Sequence, residues 1–311
     1  MQHKNVTILN YDMAYNDSLQ ASNVEKAIKV NDQGSYDAII KNQNNWEVTN
    51  ALSEIRSNCI EWLPFKKTDR VLEIGCGYGA VSEMLSRKVG RLHCIEKHAK
   101  MCSIAAERTE LNNNTSVYLG TIEDLLEHEQ QELKYDYIIM LGSFSGIYEY
   151  LRNGEESDNA QIEALNLLKT VLDEDGTIVI AEDNKLGLKF WNGAKIDPGD
   201  GYFALLEGQS ESRRKLFTRS EYDAICKEAG FSEIQYFYPY PDYKYPLSIY
   251  SDEYLPKENE LYNDIYNWEE SFLNLFCESK VYNSIIKENM FPYFSNSFIL
   301  LLEQNIKNNV N

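Results

Sequence analysis

The chain has 311 residues, of which 43% are hydrophobic, and this is enough apolar material for the packed core of one large domain. A formal net charge of −19 disfavours nucleic acid and other polyanions as ligands, because the average field of the protein would repel them. No run of about 18 apolar residues occurs and the N-terminus lacks an apolar stretch, so we expect neither a transmembrane helix nor a signal peptide.

The cysteines and histidines show no spacing that predicts a metal site. The six cysteines form no C-x-x-C pair and mostly lie in apolar periodic segments, which is typical of small buried side chains in a reducing compartment. The four histidines show no metal-ligand spacing. We therefore expect a cytoplasmic protein without a disulfide framework and without a metal.

Composition divides the chain into three parts. Residues 1–46 are rich in Asn, Asp, Gln and Tyr with weak periodicity, and we treat them as an N-terminal extension. Residues 47–303 carry the apolar patterns of one folded domain, and 304–311 form a polar tail. At the start of the domain, apolar residues at helical spacing predict an amphipathic helix over 49–62 with Thr49 as its cap.

The domain then alternates strands and helices, which predicts an α/β fold with a doubly wound, mostly parallel sheet and right-handed crossovers. We expect seven strands, over 71–76, 91–96, 116–120, 135–141, 176–183, 231–238 and 295–303. We expect helices over 79–89, 99–112, 159–173 and 219–229.

Two long stretches, 184–217 and 240–294, interrupt this alternation. Each follows a strand that we expect to run parallel to the first one, so both leave the sheet at its carboxyl edge. Open α/β sheets bind ligands at that edge. We therefore predict that the two insertions form one cap over the substrate.

A glycine-rich turn follows the first strand, where Gly75, Cys76, Gly77 and Gly79 lead into a helix. Glycines let the backbone turn tightly and approach a ligand closely. The same letters also fit a dinucleotide-binding loop, so the glycines alone do not identify the ligand.

Glu73 separates these alternatives, because it lies two residues before the turn in an apolar strand. A buried carboxylate needs a partner, which a cationic ammonium group of a ligand would supply through ordered water or the loop. A pyrophosphate would not tolerate a carboxylate there. The alternative is an acid that is bonded to nearby backbone.

Two further acidic positions follow the next strands. Glu96, with its neighbour Lys97, ends the second strand, where an acid can accept both ribose hydroxyls of a nucleoside. The turn Thr121-Ile122-Glu123 follows the third strand, where Glu123 could accept from an exocyclic amine of adenine. The alternatives are a solvated strand-end acid and a turn that merely starts a helix.

Together, the E-x-G-x-G-x-G motif, the strand-end acid and the acidic turn resemble the class I methyltransferases that depend on S-adenosylmethionine (SAM). The resemblance covers 47–239 and 295–303. It implies SAM as methyl donor and seven strands in the order 3-2-1-4-5-7-6 with the last one antiparallel. It also implies that Leu141, Gly142 and Ser143, after the fourth strand, flank the cofactor and the substrate.

A narrower resemblance lies in the cap. The segment DNKLGLKFWNGA (183–194) is similar to E-N-[KR]-[LF]-G-L-K-Y-x-x-G-A, and YPYPDYKYP (238–246) is similar to Y-P-x-P-D-Y-K-x-P. Both patterns belong to methyltransferases found with glycosyltransferases in bacterial cell-surface polysaccharide and lipopolysaccharide clusters. The resemblance implies a glycan acceptor and glycosyltransferases of the same pathway as partners. Asp183 replaces that family's Glu, and the family's acid before and histidine after Asp197 are lost.

Methyl transfer to a hydroxyl requires an oriented acceptor and a group that removes its proton. Asp183, Lys185, Lys189 and Asp197 lie in or beside the end of the fifth strand, and we name Asp183, Lys185 and Asp197 as candidate catalytic residues. A carboxylate or a lysine could be the base if burial tunes its pKa. The alternative is that the lysines are solvated and that Asp197-Pro198 is only a turn.

Tyrosines crowd the start of the second insertion, and their rings with hydroxyl tips suit sugar rings. The alternative is that they pack the insertion against the sheet. The candidate substrate residues are Tyr238, Tyr240, Tyr243 and Tyr245.

The sequence thus supports three hypotheses. The first is O-methylation of a sugar or a sugar-containing intermediate. The second is methylation of another small molecule or of a peptide-derived natural product, since one fold serves all of these. The third, favoured by the lost histidine, is a non-catalytic SAM-binding protein that assists an assembly.

Overall fold

The computed structural model of the protein describes residues 5–10, 23–30, 36–43, 45–129, 133–262 and 273–304. Of the predicted tail, only Gln304 lies among them. Within these ranges no helix is long and apolar enough to cross a membrane.

One sheet organises the fold, with helices on both of its faces. The described residues contribute nine strands: β1 (Val6–Ile8), β2 (Arg70–Ile74), β3 (Arg91–Glu96), β4 (Thr115–Leu119), β5 (Tyr135–Leu141), β6 (Leu172–Asp183), β7 (Ile234–Tyr240), β8 (Ser248–Ser251) and β9 (Ser297–Glu303). Their spatial order is β1-β4-β3-β2-β5-β6-β9-β7-β8. The strands from β1 to β6 pair in parallel, whereas β9 is antiparallel to β6 and β7, and β8 is antiparallel to β7.

The central seven strands have the predicted order 3-2-1-4-5-7-6 with an antiparallel last strand. The predicted total of seven was wrong, because a short strand is added at each edge. β1 comes from the N-terminal extension and pairs Val6 with Val117, and β8 comes from the second insertion and pairs Tyr250 with Tyr238. Strands of three and four residues are too short to show a period in the sequence.

The described residues also form twelve α-helices and two 3₁₀ helices. The α-helices are α1 (Asn23–Val30), α2 (Tyr36–Gln43), α3 (Trp46–Leu52), α4 (Ala80–Lys88), α5 (Ala99–Thr109), α6 (Ile122–His128), α7 (Ala160–Lys169), α8 (Leu188–Trp191), α9 (Ala204–Glu207), α10 (Arg219–Glu228), α11 (Glu278–Lys287) and α12 (Phe291–Phe294). The 3₁₀ helices are Glu54–Cys59 and Phe144–Tyr150.

The predicted helix over 49–62 was wrong in its bounds and its cap. The helix α3 starts earlier, and its cap is Asn45, whose side chain accepts from the Val48 amide. Ser53 then adopts an extended backbone with ψ 129° and accepts from the Ile55 amide, which ends α3 and starts the 3₁₀ helix. A serine that bonds to nearby backbone competes with helix continuation, and the apolar spacing alone did not reveal this break.

Apolar side chains cover both faces of the sheet, as expected of parallel strands with helices on each side. Successive strand residues point to opposite faces. Leu72 and Ile180 therefore join the core under α7 and α10, whereas Val71 and Val179 join the core under α4 and α5.

The helices of the N-terminal extension pack next to the glycine-rich turn. A small core joins Val24, Ile39 and Leu52, and Tyr78 of the turn packs against it. The guanidinium of Arg108 lies 4.3 Å from the centre of the Tyr36 ring. The described part of the extension is thus part of the folded unit beside the predicted cofactor loop.

The carboxyl edge of the sheet collects the ends of β2 to β7 and both insertions. Asp183 at the end of β6 and Lys244 after β7 form an ion pair of 3.1 Å. Asn192 of the first insertion donates to Glu278 of the second at 3.1 Å. The described residues of the two insertions are therefore joined at this edge, and their role as a substrate cap stays a prediction.

Candidate active site

The three glycines of the turn after β2 have different surroundings. All three have positive φ, from 55° at Gly77 to 77° at Gly75 and Gly79. A Cβ on Gly75 would lie 2.7 Å from Cβ of Ser143, and one on Gly79 would lie 2.8 Å from Cα of Ala105. At Gly77, by contrast, no atom of the described residues would come within 4 Å. Gly75 and Gly79 are therefore required by packing, whereas Gly77 faces open space from which a ligand can approach the backbone.

Glu96 is buried at the end of β3 and bonded to this turn. One carboxylate oxygen accepts from the Gly77 amide at 2.9 Å, and the other accepts from the amides of Lys97 at 2.8 Å and His98 at 3.1 Å. Burial raises the pKa of Glu96, and the three amides oppose that rise. A carboxylate has about four acceptor positions, so the three amides do not use the whole acceptor capacity of Glu96.

Glu73 is also buried, but it lies under the turn. It accepts from the Ser82 hydroxyl at 2.5 Å and from the Cys94 thiol at 3.6 Å. Burial raises the pKa of Glu73 to about 7, although the bonds to Ser82 and Cys94 oppose this. Both of its partners among the described residues are side chains. The carboxylate of Glu73 is therefore hydrogen-bonded within the fold. The alternative from the sequence was an acid bonded to backbone, whereas the bonds seen here are to side chains.

The turn after β4 starts a helix in the way that the sequence alternative proposed. Thr121 and Asp124 form a reciprocal capping box at the start of α6. Ile122 is buried in the core. Both carboxylate oxygens of Glu123 accept from the amide of Arg152 at 3.1 Å.

The turn after β5 lies directly against the glycine turn. Gly142 has φ 80° and donates its amide to Ala181 at 2.8 Å, next to Leu141 at the end of β5. Ser143 donates its hydroxyl to the Ile74 carbonyl at 2.6 Å. A Cβ on Gly142 would lie 2.6 Å from the Tyr243 hydroxyl, so the second insertion reaches this turn.

A buried cluster of charges occupies the end of β6. One oxygen of Asp183 accepts from Lys189 at 2.5 Å and the other from Lys244 at 3.1 Å. Lys189 also lies 3.6 Å from Asp242. Burial alone would raise the pKa of Asp183, but the two ammonium groups and Arg214 outweigh it and hold the pKa well below its usual range. Asp183 is therefore held as a carboxylate that bonds two buried lysine side chains.

The comparisons with known proteins concern the part of the site around the glycine turn. A family model described as a methyltransferase domain matches residues 71–170. A protein-L-isoaspartate O-methyltransferase of Roseiflexus castenholzii is 43% identical over 63 residues, which are 20% of this chain and 29% of that protein. A ribosomal RNA small subunit methyltransferase A of Syntrophus aciditrophicus is 26% identical over 91 residues, 29% of each chain.

Over residues 71–170 the chain is therefore similar to a methyltransferase domain. The matched segment contains the glycine turn, Glu96 and the turns after β4 and β5. This chain spans only 29% of the length of each of the two curated relatives. A solved SAM-dependent methyltransferase of Archaeoglobus fulgidus, 15% identical, aligns with 80% of this chain and 92% of its own at a TM-score of 0.48.

The fold does not bring the three candidate catalytic residues into one cluster. Lys185 pairs with Glu221 of α10 at 3.4 Å. Asp197 is half-buried in a loop where its carbonyl accepts from the Asp200 amide. Lys244 was missing from the sequence candidates, although it lies within the family-like segment 238–246, because only its position in space pairs it with Asp183.

Two of the four candidate substrate tyrosines lie in the core. Tyr238 and Tyr240 are both buried in β7, where they pack among Phe291, Phe298 and Tyr282. Their burial leaves little side-chain surface for the predicted substrate contacts, and Tyr240 lies inside β7, beyond the predicted strand end at residue 238.

The other two tyrosines follow β7 and lie in the insertion. Tyr243 is buried between Gly142 and the Asp183 cluster, and Lys244 lies 5.1 Å from the centre of its ring. The Tyr245 ring packs on Trp46 at 5.1 Å.

Among the described residues, no group of three or more His, Cys, Asp and Glu side chains is arranged to hold a metal ion.

Proposed function

We propose that the whole protein is a SAM-dependent methyltransferase that acts on a hydroxyl group, with its reaction centre between the glycine turn and the Asp183 cluster. The observation that carries this proposal is the open space at Gly77 beside the buried carboxylate of Glu96. A nucleoside can approach the backbone there and donate its ribose hydroxyls to an acid.

The cofactor contacts follow from this placement. The backbone of 75–79 would pass along the methionine part, and the free acceptor position of Glu96 would take the ribose, next to Lys97. The turn 121–123 and the pair Leu141 and Gly142 would flank the adenine and the sulfonium. Glu73 would act through the turn, because its side chain is bonded beneath it.

SAM supplies an electrophilic methyl group on a sulfonium, and the chain must orient the acceptor oxygen toward it. We propose that Asp183 serves as a positioning residue, because a carboxylate with such a low pKa is a poor proton acceptor. It fixes the ammonium groups of Lys189 and Lys244 at the edge of the sheet. Lys185 and Asp197 remain candidates from the sequence alone.

We propose a sugar hydroxyl as the acceptor. The two segments that resemble polysaccharide-associated methyltransferases meet at this site, through Asp183 of the first and Lys244 of the second. Glycosyltransferases of the same pathway would then be partners. Another small molecule or a peptide-derived natural product is the alternative acceptor.

A second candidate function is SAM binding without catalysis. It is favoured by the engagement of both Asp183 oxygens by lysines and by the absence of the family's histidine after Asp197 in the sequence. Turnover separates the two functions.

The test is the release of S-adenosylhomocysteine (SAH) from SAM by the full chain, measured against nucleotide sugars, free glycans and small peptides. We expect release that depends on a sugar acceptor. Release with peptides alone would reject the sugar, and SAM binding without release by any acceptor would support the non-catalytic function.

A further inference from the structure

A strap of residues, 148–152, crosses the carboxyl edge of the sheet in front of the cofactor loops. It contains the end of the second 3₁₀ helix and the residues that follow it. Its carboxylate Glu149 forms an ion pair with Lys97, directly after β3. Its guanidinium Arg152 binds Asp124 at 3.1 Å and Glu127 at 2.7 Å, in the helix after β4. The strap is thus tied to the loop after β3 and to the helix after β4, both of which lie next to the proposed cofactor turns.

Between these two ties, Tyr150 points into the site. It is 7% exposed, and its hydroxyl would lie 2.9 Å from a Cβ on Gly75. The ammonium of Lys97 lies 5.8 Å from the centre of its ring. Burial raises the pKa of Tyr150 well above its usual value, and the nearby Glu96 carboxylate adds to this. The phenol therefore stays neutral beside the acid proposed for the ribose.

We propose that Tyr150 is a wall of the cofactor site, and that Glu149 and Arg152 are positioning residues that hold it against the glycine turn. This inference rests on the proposed function. Nothing in the sequence motifs marks the strap, because its ties join residues about 25 to 50 positions apart that meet only at the sheet edge.

The physical consequence is retention of the cofactor. The strap must move aside before a ligand under it can leave, and its three ion pairs resist that movement. Each pair is partly exposed, with side-chain exposures of 23% and 33% for Lys97 and Glu149. Such pairs contribute little individually, so the effect of breaking one is modest and is reduced by salt.

The test is the dissociation rate of SAH from the full chain, measured by stopped-flow competition at low salt. We expect Glu149→Gln to speed dissociation by about two- to fivefold, the range for a partly exposed ion pair. We expect Tyr150→Phe to weaken SAH affinity, because it removes the hydroxyl beside Gly75 and keeps the ring. The conservative variant Glu149→Asp, which keeps the carboxylate, should retain SAH more nearly as the wild type does, which a purely structural loss would not.

The matched control is Lys88→Gln, which breaks the ion pair with Glu61 at 3.2 Å, at the far end of α4 from the turn. It should leave the SAH dissociation rate unchanged. Slower release or tighter binding in Glu149→Gln would overturn the proposal, since the strap would then compete with the cofactor. If the wild type binds SAH and no strap variant changes the dissociation rate or the affinity, the strap proposal is also overturned. If the wild type does not bind SAH, the result counts against the proposed function instead.

Discussion

The two halves of the carboxyl edge differ in how their polar groups are held. Around the glycine turn, Glu96 is bonded to backbone amides and an open space remains at Gly77. At the end of β6, Asp183 is bonded to side chains from two insertions, and both of its oxygens are engaged. The first half is therefore shaped by local chain geometry, whereas the second depends on contacts between segments about 60 residues apart.

The largest effect should come from Asp183→Ala, which leaves Lys189 and Lys244 buried without their shared anion. Removal of one partner from a buried ion cluster costs about 3–5 kcal/mol, so we expect a loss of that order in the free energy of unfolding. Urea unfolding measures it.

The control for this variant is Asp158→Ala, which removes a fully exposed partner of Lys215. It should cost less than about 1 kcal/mol. If Asp183→Ala were as stable as Asp158→Ala, the two halves of the edge would not differ as described.

The pH dependence of stability tests the buried carboxylate of Glu73, which lies under the glycine turn. Its pKa is raised to about 7 in the folded chain from 4.5, so the folded state binds more protons between these values. The contribution of Glu73 to the free energy of unfolding is thus fully present below about pH 4.5. It is lost as the pH rises through 7, and the loss is on the order of 3 kcal/mol.

Glu73→Gln should remove this dependence, so that the variant becomes more stable than the wild type above pH 7. Thermal unfolding of both proteins between pH 5 and pH 8 (roughly the window of the Glu73 titration) provides the comparison. Parallel curves would show that the buried acid does not titrate in this range.

Glu96→Ala probes the acid on the cofactor side. It removes the proposed ribose acceptor and the bond to the Gly77 amide, and charge-assisted bonds of this kind contribute about 1.5–3 kcal/mol. We expect SAM affinity to fall by that amount in calorimetric titration, while circular dichroism stays that of the wild type. Unchanged affinity would remove Glu96 from the cofactor site.

The smallest effect is expected for Lys185→Gln. Lys185 pairs with Glu221 in a partly exposed ion pair, 33% and 44% exposed, so the free energy of unfolding should change by less than about 1 kcal/mol. A loss as large as that of Asp183→Ala would mean that Lys185 belongs to the buried cluster.

The sequence predicts where the glycine turn and Glu96 lie in the fold, and the reason is physical. The glycines at 75, 77 and 79 and the strand-end Glu96 act within one β-turn-α unit, where the spacing along the chain fixes the spacing in space. The same locality explains why seven strands could be predicted, whereas their order was implied by the resemblance to class I methyltransferases.

The half of the edge at the end of β6, around Asp183, could be predicted only in part. The sequence places Asp183 at a strand end, but only the return of the chain after β7 brings Lys244 to it. The strap depends equally on tertiary contacts. Tyr240 was expected to lie beyond the sixth strand, whose predicted end was residue 238, while β7 in fact continues to Tyr240.

Calorimetric titration of the full chain with SAM, SAH and NAD tests the central claim most directly. We expect one site for SAM and SAH and no heat from NAD. Gly77→Val should weaken SAM binding by about 1–3 kcal/mol by filling the open space, whereas Gly154→Val, at a similar φ of 57° and with no described atom within 4 Å, should bind as the wild type does. Binding of NAD without any response to SAM would contradict the account.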